Sequence, residues 1–123
     1  MEKMKTFRFI DFPVYHEGRS LYKEIVTITK RFPREYWELA DQIRRSALSV
    51  CLNIAEGSAK QSDKDFNRYL ENSLGSINET AAGLDICLYC SLIAQFDCDM
   101  LIQKCEKIAR QLGGFSKKLK SLK

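Results

Sequence analysis

Apolar residues recur through most of the 123-residue chain at alternating steps of four and three, which places them along one side of an α-helix. Short breaks separate four such segments, and the alternating β-branched runs that are typical of strands are absent. The predicted helices run over residues 13–31, from 34 or 35 to 57–59, over 63–94, and from a cap at Asp97 to Leu122. The pattern therefore predicts an all-α protein.

Local signals place the ends of these helices. Pro13 suits a first helical turn capped by Asp11 or Phe12, and Ser62 followed by Asp65 resembles a capping box. Gly113-Gly114 indicates a weak point or an early end of the fourth helix. Four helices joined by short loops predict a single domain over residues 1–123, an up-and-down antiparallel four-helix bundle whose residues 1–12 form an N-terminal arm.

The second helix carries a second apolar stripe. Trp37, Leu48, Leu52 and Ala55 lie about 120–180° around the helix from its core-facing residues, so a monomeric bundle would leave them in water. Scattered apolar residues on a surface are normal and would explain them. The more specific hypothesis is that one side of this helix is buried in its own bundle and the other side against a second subunit. A row of Trp and Leu side chains is unfavourable in water.

The charge distribution adds candidate phosphate contacts. The formal net charge is +4, but residues 104–123 hold seven Lys or Arg against one acid, whereas residues 61–103 hold two against seven acids. Candidate nucleic-acid contacts are Arg44, Arg45, Lys117, Lys118 and Lys120. The alternatives are a solvated lysine face, and arginines that pair with carboxylates such as Asp41 and Glu38 across a subunit joint.

The cysteines and the single histidine offer no complete site. Cys87-x-x-Cys90 shares one helix face, but a zinc site needs four ligands, and His16 and the other cysteines stand at irregular spacing. We expect reduced, buried thiols that pack as small hydrophobes, with a metal or redox role as the alternative. Glu56 and Glu79 could be paired carboxylates on facing helices, yet the Glu-x-x-His motif of di-iron bundles is missing.

Other signatures of enzymes and of exported proteins are also missing. The chain has no nucleophile elbow, no Walker sequence and no G-x-G-x-x-G, so we expect neither an enzyme nor a bound cofactor. The N-terminus lacks a secretory signal, and the most apolar run, residues 81–94, is too short to span a bilayer. A cytoplasmic protein without a membrane role is the expectation.

Several short motifs cover nearly the whole chain in order. They are Phe9-x-Asp-Phe-Pro-Val14, Phe32-Pro33 followed by an acid after one residue, Gln42-Ile-Arg-Arg-Ser-Ala47, Asn53-Ile-Ala-Glu-Gly57, Phe66-x-x-Tyr-Leu70 and Leu74-Gly-Ser-x-x-Glu79. In these the chain resembles the four-helix bundle protein family, also known as the 23S ribosomal-RNA intervening-sequence proteins. The resemblance implies an up-and-down bundle that assembles as a ring-shaped homopentamer. Some members are encoded within insertions of large-subunit ribosomal RNA genes.

The resemblance also extends distantly to the accessory variability determinant of diversity-generating retroelements, a basic pentamer that binds nucleic acid and its reverse transcriptase. Independently of the resemblance, the segment Gln42–Gly57 is interpreted mainly as architecture, so Arg44, Arg45, Asn53 and Glu56 join the apolar stripe as residues expected to fix the subunit joint. The leading hypothesis is a non-enzymatic, oligomeric four-helix bundle that associates with ribosomal or other RNA, or with a ribonucleoprotein, through basic patches. The rival is a protein-interaction or structural module without a nucleic-acid role.

Overall fold

A computed structural model describes residues 6–121 and contains four long helices. They are α1 (Pro13–Thr29), α2 (Trp37–Ser58), α3 (Asp63–Tyr89) and α4 (Gln95–Ser121), with single turns of 3₁₀ helix at Arg8–Asp11 and Arg34–Tyr36. Each helix packs against the next along the chain, and α1 also packs against α4, which closes the bundle. No strand occurs between residues 6 and 121, so the predicted all-α, up-and-down four-helix bundle is confirmed. The first five residues of the predicted arm and Leu122 lie outside the described part.

The starts of α1 and α3 follow the predicted signals. Phe12 has an extended backbone and stands immediately before Pro13, whose missing N–H costs nothing in the first turn. Ser62 caps α3, since its hydroxyl accepts a hydrogen bond from the Asp65 N–H at 3.1 Å.

The helices that flank Pro33 are shorter than predicted. α1 ends at Thr29, two residues early, and α2 begins at Trp37 instead of 34 or 35. The Tyr36 N–H bonds to the Pro33 carbonyl at 2.9 Å, an i to i+3 bond that winds the intervening turn as 3₁₀ helix.

The prediction that α3 continues to about Ala94 is wrong, because the helix ends at Tyr89. Ser91 adopts a left-handed backbone with φ of 60°. The Leu92 N–H then bonds to the Cys87 carbonyl at 2.9 Å, and the Ser91 N–H bonds to the Leu88 carbonyl at 3.0 Å. These two bonds form a Schellman motif that satisfies the last carbonyls of α3 and turns the chain toward α4. The sequence did not indicate this helix end, because serine occupies the left-handed position where glycine is usual.

The predicted cap of α4 at Asp97 and the alternative of an early end at Gly113-Gly114 are also wrong. The helix begins at Gln95, so Asp97 lies in its first turn and does not cap it. It also passes through Gly113 and Gly114 without a break and runs to Ser121. Packing on both sides of the glycines explains the continuity. Leu112 and Leu119 are buried, and the Phe115 ring lies edge-on to Phe66, with 5.1 Å between the ring centroids.

α2 and α3 approach each other closely along a seam of small and polar residues. A Cβ added to Gly83 would lie 2.6 Å from Ile43 Cγ1, which is too close for two carbon atoms. The Ser73 hydroxyl donates to the Val50 carbonyl at 2.6 Å, and the buried hydroxyls of Ser46 and Thr80 are 2.8 Å apart. These buried polar groups are therefore paired, as burial requires. The seam fixes the rotation of α2 and so decides which of its residues face outward.

Candidate subunit interface and nucleic-acid surface

The second apolar stripe of α2 lies on the surface of the single chain. Trp37 is 58% exposed, Leu52 56% and Leu48 38%, while Ala55 is half-buried. α3 covers the opposite side of α2 through the close seam at Ile43 and Gly83, and α1 covers a third side. The structure therefore brings the four predicted residues onto the one side of α2 that its own bundle leaves open.

The N-terminal arm extends this apolar surface beyond α2. Its Phe9 ring packs edge-on to Tyr15 with centroids 4.9 Å apart, while Phe7 remains 62% exposed. Between the arm and α2 runs a groove of about 530 Å³, which we call the arm groove. It is lined by Thr6, Phe7, Phe9, Leu52, Ala55, Glu56, Ser58 and Ala59. Sequence reasoning missed this groove, although the closely spaced phenylalanines of the arm were its available signal.

Arg44 and Arg45 have different surroundings despite being adjacent. The half-buried Arg44 donates from Nε to the Thr29 hydroxyl at 2.7 Å and so ties α2 to the last turn of α1. Arg45 is exposed, and its Nε lies 3.1 Å from an Asp41 carboxylate oxygen one turn earlier on α2. The ion pair between an arginine and Asp41 that we expected across a subunit joint thus forms within α2, between Arg45 and Asp41. An exposed pair of this kind contributes only about 0.3–0.5 kcal/mol.

Asn53 and Glu56 also bind within the chain. The Asn53 amide donates to the Ser49 carbonyl at 2.9 Å and to the Ser49 hydroxyl at 3.0 Å. A Glu56 carboxylate oxygen accepts a hydrogen bond from the Tyr69 hydroxyl of α3 at 3.2 Å. Asn53 is therefore bonded within α2, whereas Glu56 reaches α3 and also the edge of the arm groove.

The predicted lysines lie at one end of the bundle. Lys117, Lys118 and Lys120 are exposed on the last turns of α4, and Lys64 in the first turn of α3 joins them. Lys64 and Lys120 line a groove of about 380 Å³ together with Asp63, Asn67 and Leu119. Within residues 6–121, none of these four lysines takes part in an ion pair. We call these four residues the basic end.

Arg44 and Arg45 do not belong to the basic end. Arg44 lies 14 residues before the last residue of α2, which is about 21 Å along the helix axis. The two predicted groups of cations are therefore separate surfaces.

The five cysteines are free thiols, and all except the half-buried Cys90 are buried. Burial raises the pKa of Cys51 to about 11, with a smaller opposing effect of Arg19, and raises the pKa of Cys105 to about 12. Burial likewise raises the pKa of Cys87 to about 11 and that of Cys98 above its ordinary value. At neutral pH these thiols are protonated and poor nucleophiles.

No group of three or more His, Cys, Asp and Glu side chains within residues 6–121 has an arrangement that could hold a metal ion. The ring of His16 is hydrogen-bonded through Nε2 to the Ile10 carbonyl. Among the described helices, none combines the length and the apolar character needed to cross a membrane.

Comparison with known proteins gives the family. Residues 11–114 match the model of a family described as 23S rRNA-intervening sequence protein. The chain belongs to this family. A similar solved structure comes from Bacteroides thetaiotaomicron and is described as a protein of unknown function from the S23 ribosomal protein family. It is 26% identical, with a TM-score of 0.78 over 85% of this chain and 98% of that chain. The comparison with curated proteins found no match.

The matched range separates the two candidate surfaces of this intervening-sequence family protein. It includes all of α1, α2 and α3 and therefore the whole apolar stripe from Trp37 to Ala55. It ends at Gly114, three residues before Lys117. Three of the four lysines of the basic end thus lie outside the segment that defines the family membership.

Proposed function

We propose that this intervening-sequence family protein is a non-enzymatic, cytoplasmic, oligomeric four-helix bundle that associates with RNA through its basic end. The observation that carries the proposal is the group of four exposed lysines, none in an ion pair within the described residues, in a chain whose family is named for insertions in 23S rRNA. Lysines without carboxylate partners can contact phosphates and release their counterions. Arg44 contributes less, because its Nε is already bonded to Thr29.

Self-association is the second part of the proposal. The exposed stripe of α2 and the arm groove give one chain a continuous apolar surface that water covers unless another subunit does. The family resemblance makes a homopentamer the expected assembly. A ring would also carry one basic end on each subunit, so that the weak phosphate contacts of the subunits would act together on one RNA.

A salt series tests the RNA association. Binding of the purified chain to 23S rRNA fragments should weaken as salt rises, with a linear relation between log K and log salt concentration. The triple variant Lys117→Gln/Lys118→Gln/Lys120→Gln should lower the steepness of that relation by about 2 to 3, since each lost phosphate contact removes about 0.7–0.9.

The control is Lys23→Gln/Lys30→Gln/Arg31→Gln, which removes the same charge from exposed positions on α1 and just after it. If the basic end makes the phosphate contacts, this control should have a slope of log K against log salt concentration within about 1 of the wild-type slope. Absence of binding near physiological salt, or affinity that does not respond to salt, would reject the RNA association.

The second candidate is a protein-interaction or structural module, and the exposed apolar stripe favours it. Light scattering measures the oligomeric state, and together with the salt series it separates the two candidates. An oligomer that binds no RNA supports the interaction module. A stable monomer at micromolar concentration removes self-association from both candidates.

A further inference from the structure

The Cys87-x-x-Cys90 pair ends α3 and belongs to neither the apolar stripe nor the basic end. Cys87 lies in the last turn of the helix and is 1% exposed, whereas Cys90 is the residue that follows the helix and is half-buried. Both are free thiols. The pair therefore joins one thiol that a small oxidant can reach from solvent to one that it cannot reach.

The helical backbone holds the two residues at a distance suited to a disulfide. The Cys90 N–H still donates to the Ile86 carbonyl at 2.9 Å, so the helical turn between Cys87 and Cys90 is complete. Residues three apart in a helix have Cα atoms about 5 Å apart, and a disulfide accepts about 4.4–6.8 Å. Their Cβ atoms, about 5–6 Å apart, must approach to about 3.5–4.5 Å. Cys90 can make this movement, because the left-handed Ser91 ends the helix immediately after it.

Cys98 of α4 is another thiol near Cys87, but it lies on the side of Cys87 away from Cys90. Its Sγ is 3.8 Å from the Leu84 carbonyl oxygen. Leu84 precedes Cys90 by about 9 Å along the helix axis, and the two residues point about 120° apart around α3. Cys87 lies midway between them in the sequence. The near partner of Cys90 is therefore Cys87 and not Cys98.

We propose that Cys87 and Cys90 form a site of reversible oxidation by peroxides, in which Cys90 reacts first and Cys87 then closes a disulfide with it. The site is independent of the RNA association and the self-association proposed above. Burial sets the order of the two steps, because peroxide reaches Cys90 from solvent and does not reach Cys87. Burial also raises the pKa of Cys87 to about 11, with smaller contributions from Cys90 and Cys98, so Cys87 is protonated at neutral pH.

Two displacements account for the reaction. The Cys90 thiolate attacks one oxygen of hydrogen peroxide, so that an S–O bond forms and the O–O bond breaks. The leaving hydroxide takes up the proton that the thiol lost, which gives water and a sulfenic acid. The Cys87 sulfur then attacks the Cys90 sulfur, so that the S–S bond forms, the S–O bond breaks, and the second hydroxide leaves as water with the Cys87 proton. In total the two thiols lose two electrons and the peroxide gains them, and a dithiol reductant restores both thiols by exchange.

Mass spectrometry of the reduced full chain after exposure to hydrogen peroxide tests the proposal. Remaining thiols are blocked with N-ethylmaleimide under denaturing conditions. Cleavage before aspartate then releases residues 85–96, which contain Cys87 and Cys90 and no other cysteine. We expect this fragment to be unlabelled and lighter than the reduced fragment by two hydrogen atoms, while the other three of the five thiols are labelled. Dithiothreitol should restore both labels.

Single variants separate the two roles. Cys90→Ser should leave Cys87 as a thiol, because peroxide does not reach the buried sulfur. Cys87→Ala should leave a sulfenic acid at Cys90, which dimedone traps. The matched control Cys51→Ala removes a buried thiol of α2 that lies beside Gly18 of α1, so the disulfide should form as in the wild type. Circular dichroism checks the fold of each variant, and the half-buried Cys90→Ser keeps the test decisive if Cys87→Ala does not fold.

Three results would overturn the proposal. The first is a wild-type chain in excess peroxide that keeps Cys87 labelled, whether Cys90 stays a thiol or carries added oxygen. The second is a disulfide that persists in Cys87→Ala and disappears in Cys98→Ala, which would assign the second thiol to α4. The third is a covalent dimer through Cys90 on a non-reducing gel, which would make a second copy the partner.

Discussion

The close approach of α2 and α3 leads to a prediction in which two glycine-to-alanine changes have opposite signs. Gly83 is buried in α3, and an added Cβ would meet Ile43 Cγ1 at 2.6 Å and Ile43 Cδ1 at 3.3 Å. Ile43 is only 2% exposed, so its side chain has little room to move away. Gly113 lies in α4, where an added Cβ would find nothing within 4 Å.

The magnitudes follow from two terms. Replacing glycine by alanine inside a helix stabilises it by about 1 kcal/mol, and this gain applies at both sites. Forcing an extra methyl group into a packed core costs about 1–3 kcal/mol, and this loss applies only to Gly83→Ala. We therefore expect Gly113→Ala to raise the free energy of unfolding by about 1 kcal/mol and Gly83→Ala to lower it by roughly 1 kcal/mol.

Chemical denaturation followed by helical circular dichroism measures both values, at a fixed protomer concentration because self-association would add to the apparent stability. The difference of about 2 kcal/mol corresponds to roughly 8 °C in Tm for a domain of this size. A further variant, Gly83→Ala/Ile43→Ala, should lose less stability than the sum of its single changes, because the new methyl group then occupies space that Ile43 vacated. Equal stabilisation by Gly83→Ala and Gly113→Ala would refute the close approach of α2 and α3.

Three further predictions concern a cap, a buried hydroxyl and the thiols. Ser62→Ala should lower the free energy of unfolding by about 1 kcal/mol, measured by denaturation, because the Asp65 N–H loses its acceptor; no change would show that the capping bond contributes nothing. Thr29→Val should cost about 1–3 kcal/mol in the same assay, since it removes the acceptor of the half-buried Arg44 Nε while keeping the side-chain shape; a neutral effect would argue against this tie between α1 and α2. Burial raises the pKa of Cys51 to about 11 and that of Cys105 to about 12, so the folded state holds these protons more tightly than the unfolded state does. Their contribution is therefore complete below pH 9 and is lost toward pH 12, with a slope of up to about 1.4 kcal/mol per pH unit for each thiol; melting curves from pH 7 to 11 check it, and the double variant Cys51→Ala/Cys105→Ala should have the flatter profile.

Features that depend on residues close together along the chain could be predicted from the sequence alone. The steps of four and three predicted four helices and the bundle, because one turn of helix decides which side a residue faces. Pro13 and Ser62 placed two helix starts through local backbone chemistry, and the second stripe of α2 followed from the same periodicity. These inferences needed no knowledge of which helix packs on which.

Features that depend on contacts between helices could not be predicted in this way and are visible only in the folded chain. Gly83 and Gly113 both lie inside predicted helices, and the sequence pattern does not distinguish them. In the folded chain Gly83 is buried against Ile43, whereas a Cβ added to Gly113 would find nothing within 4 Å. Arg44 could have faced a phosphate or a second subunit, but Thr29, 15 residues earlier, occupies its Nε. The arm groove likewise arises where separate elements converge. The physical reason is that periodicity fixes the direction of a side chain relative to its own helix, whereas the atoms it meets are set by how the helices pack.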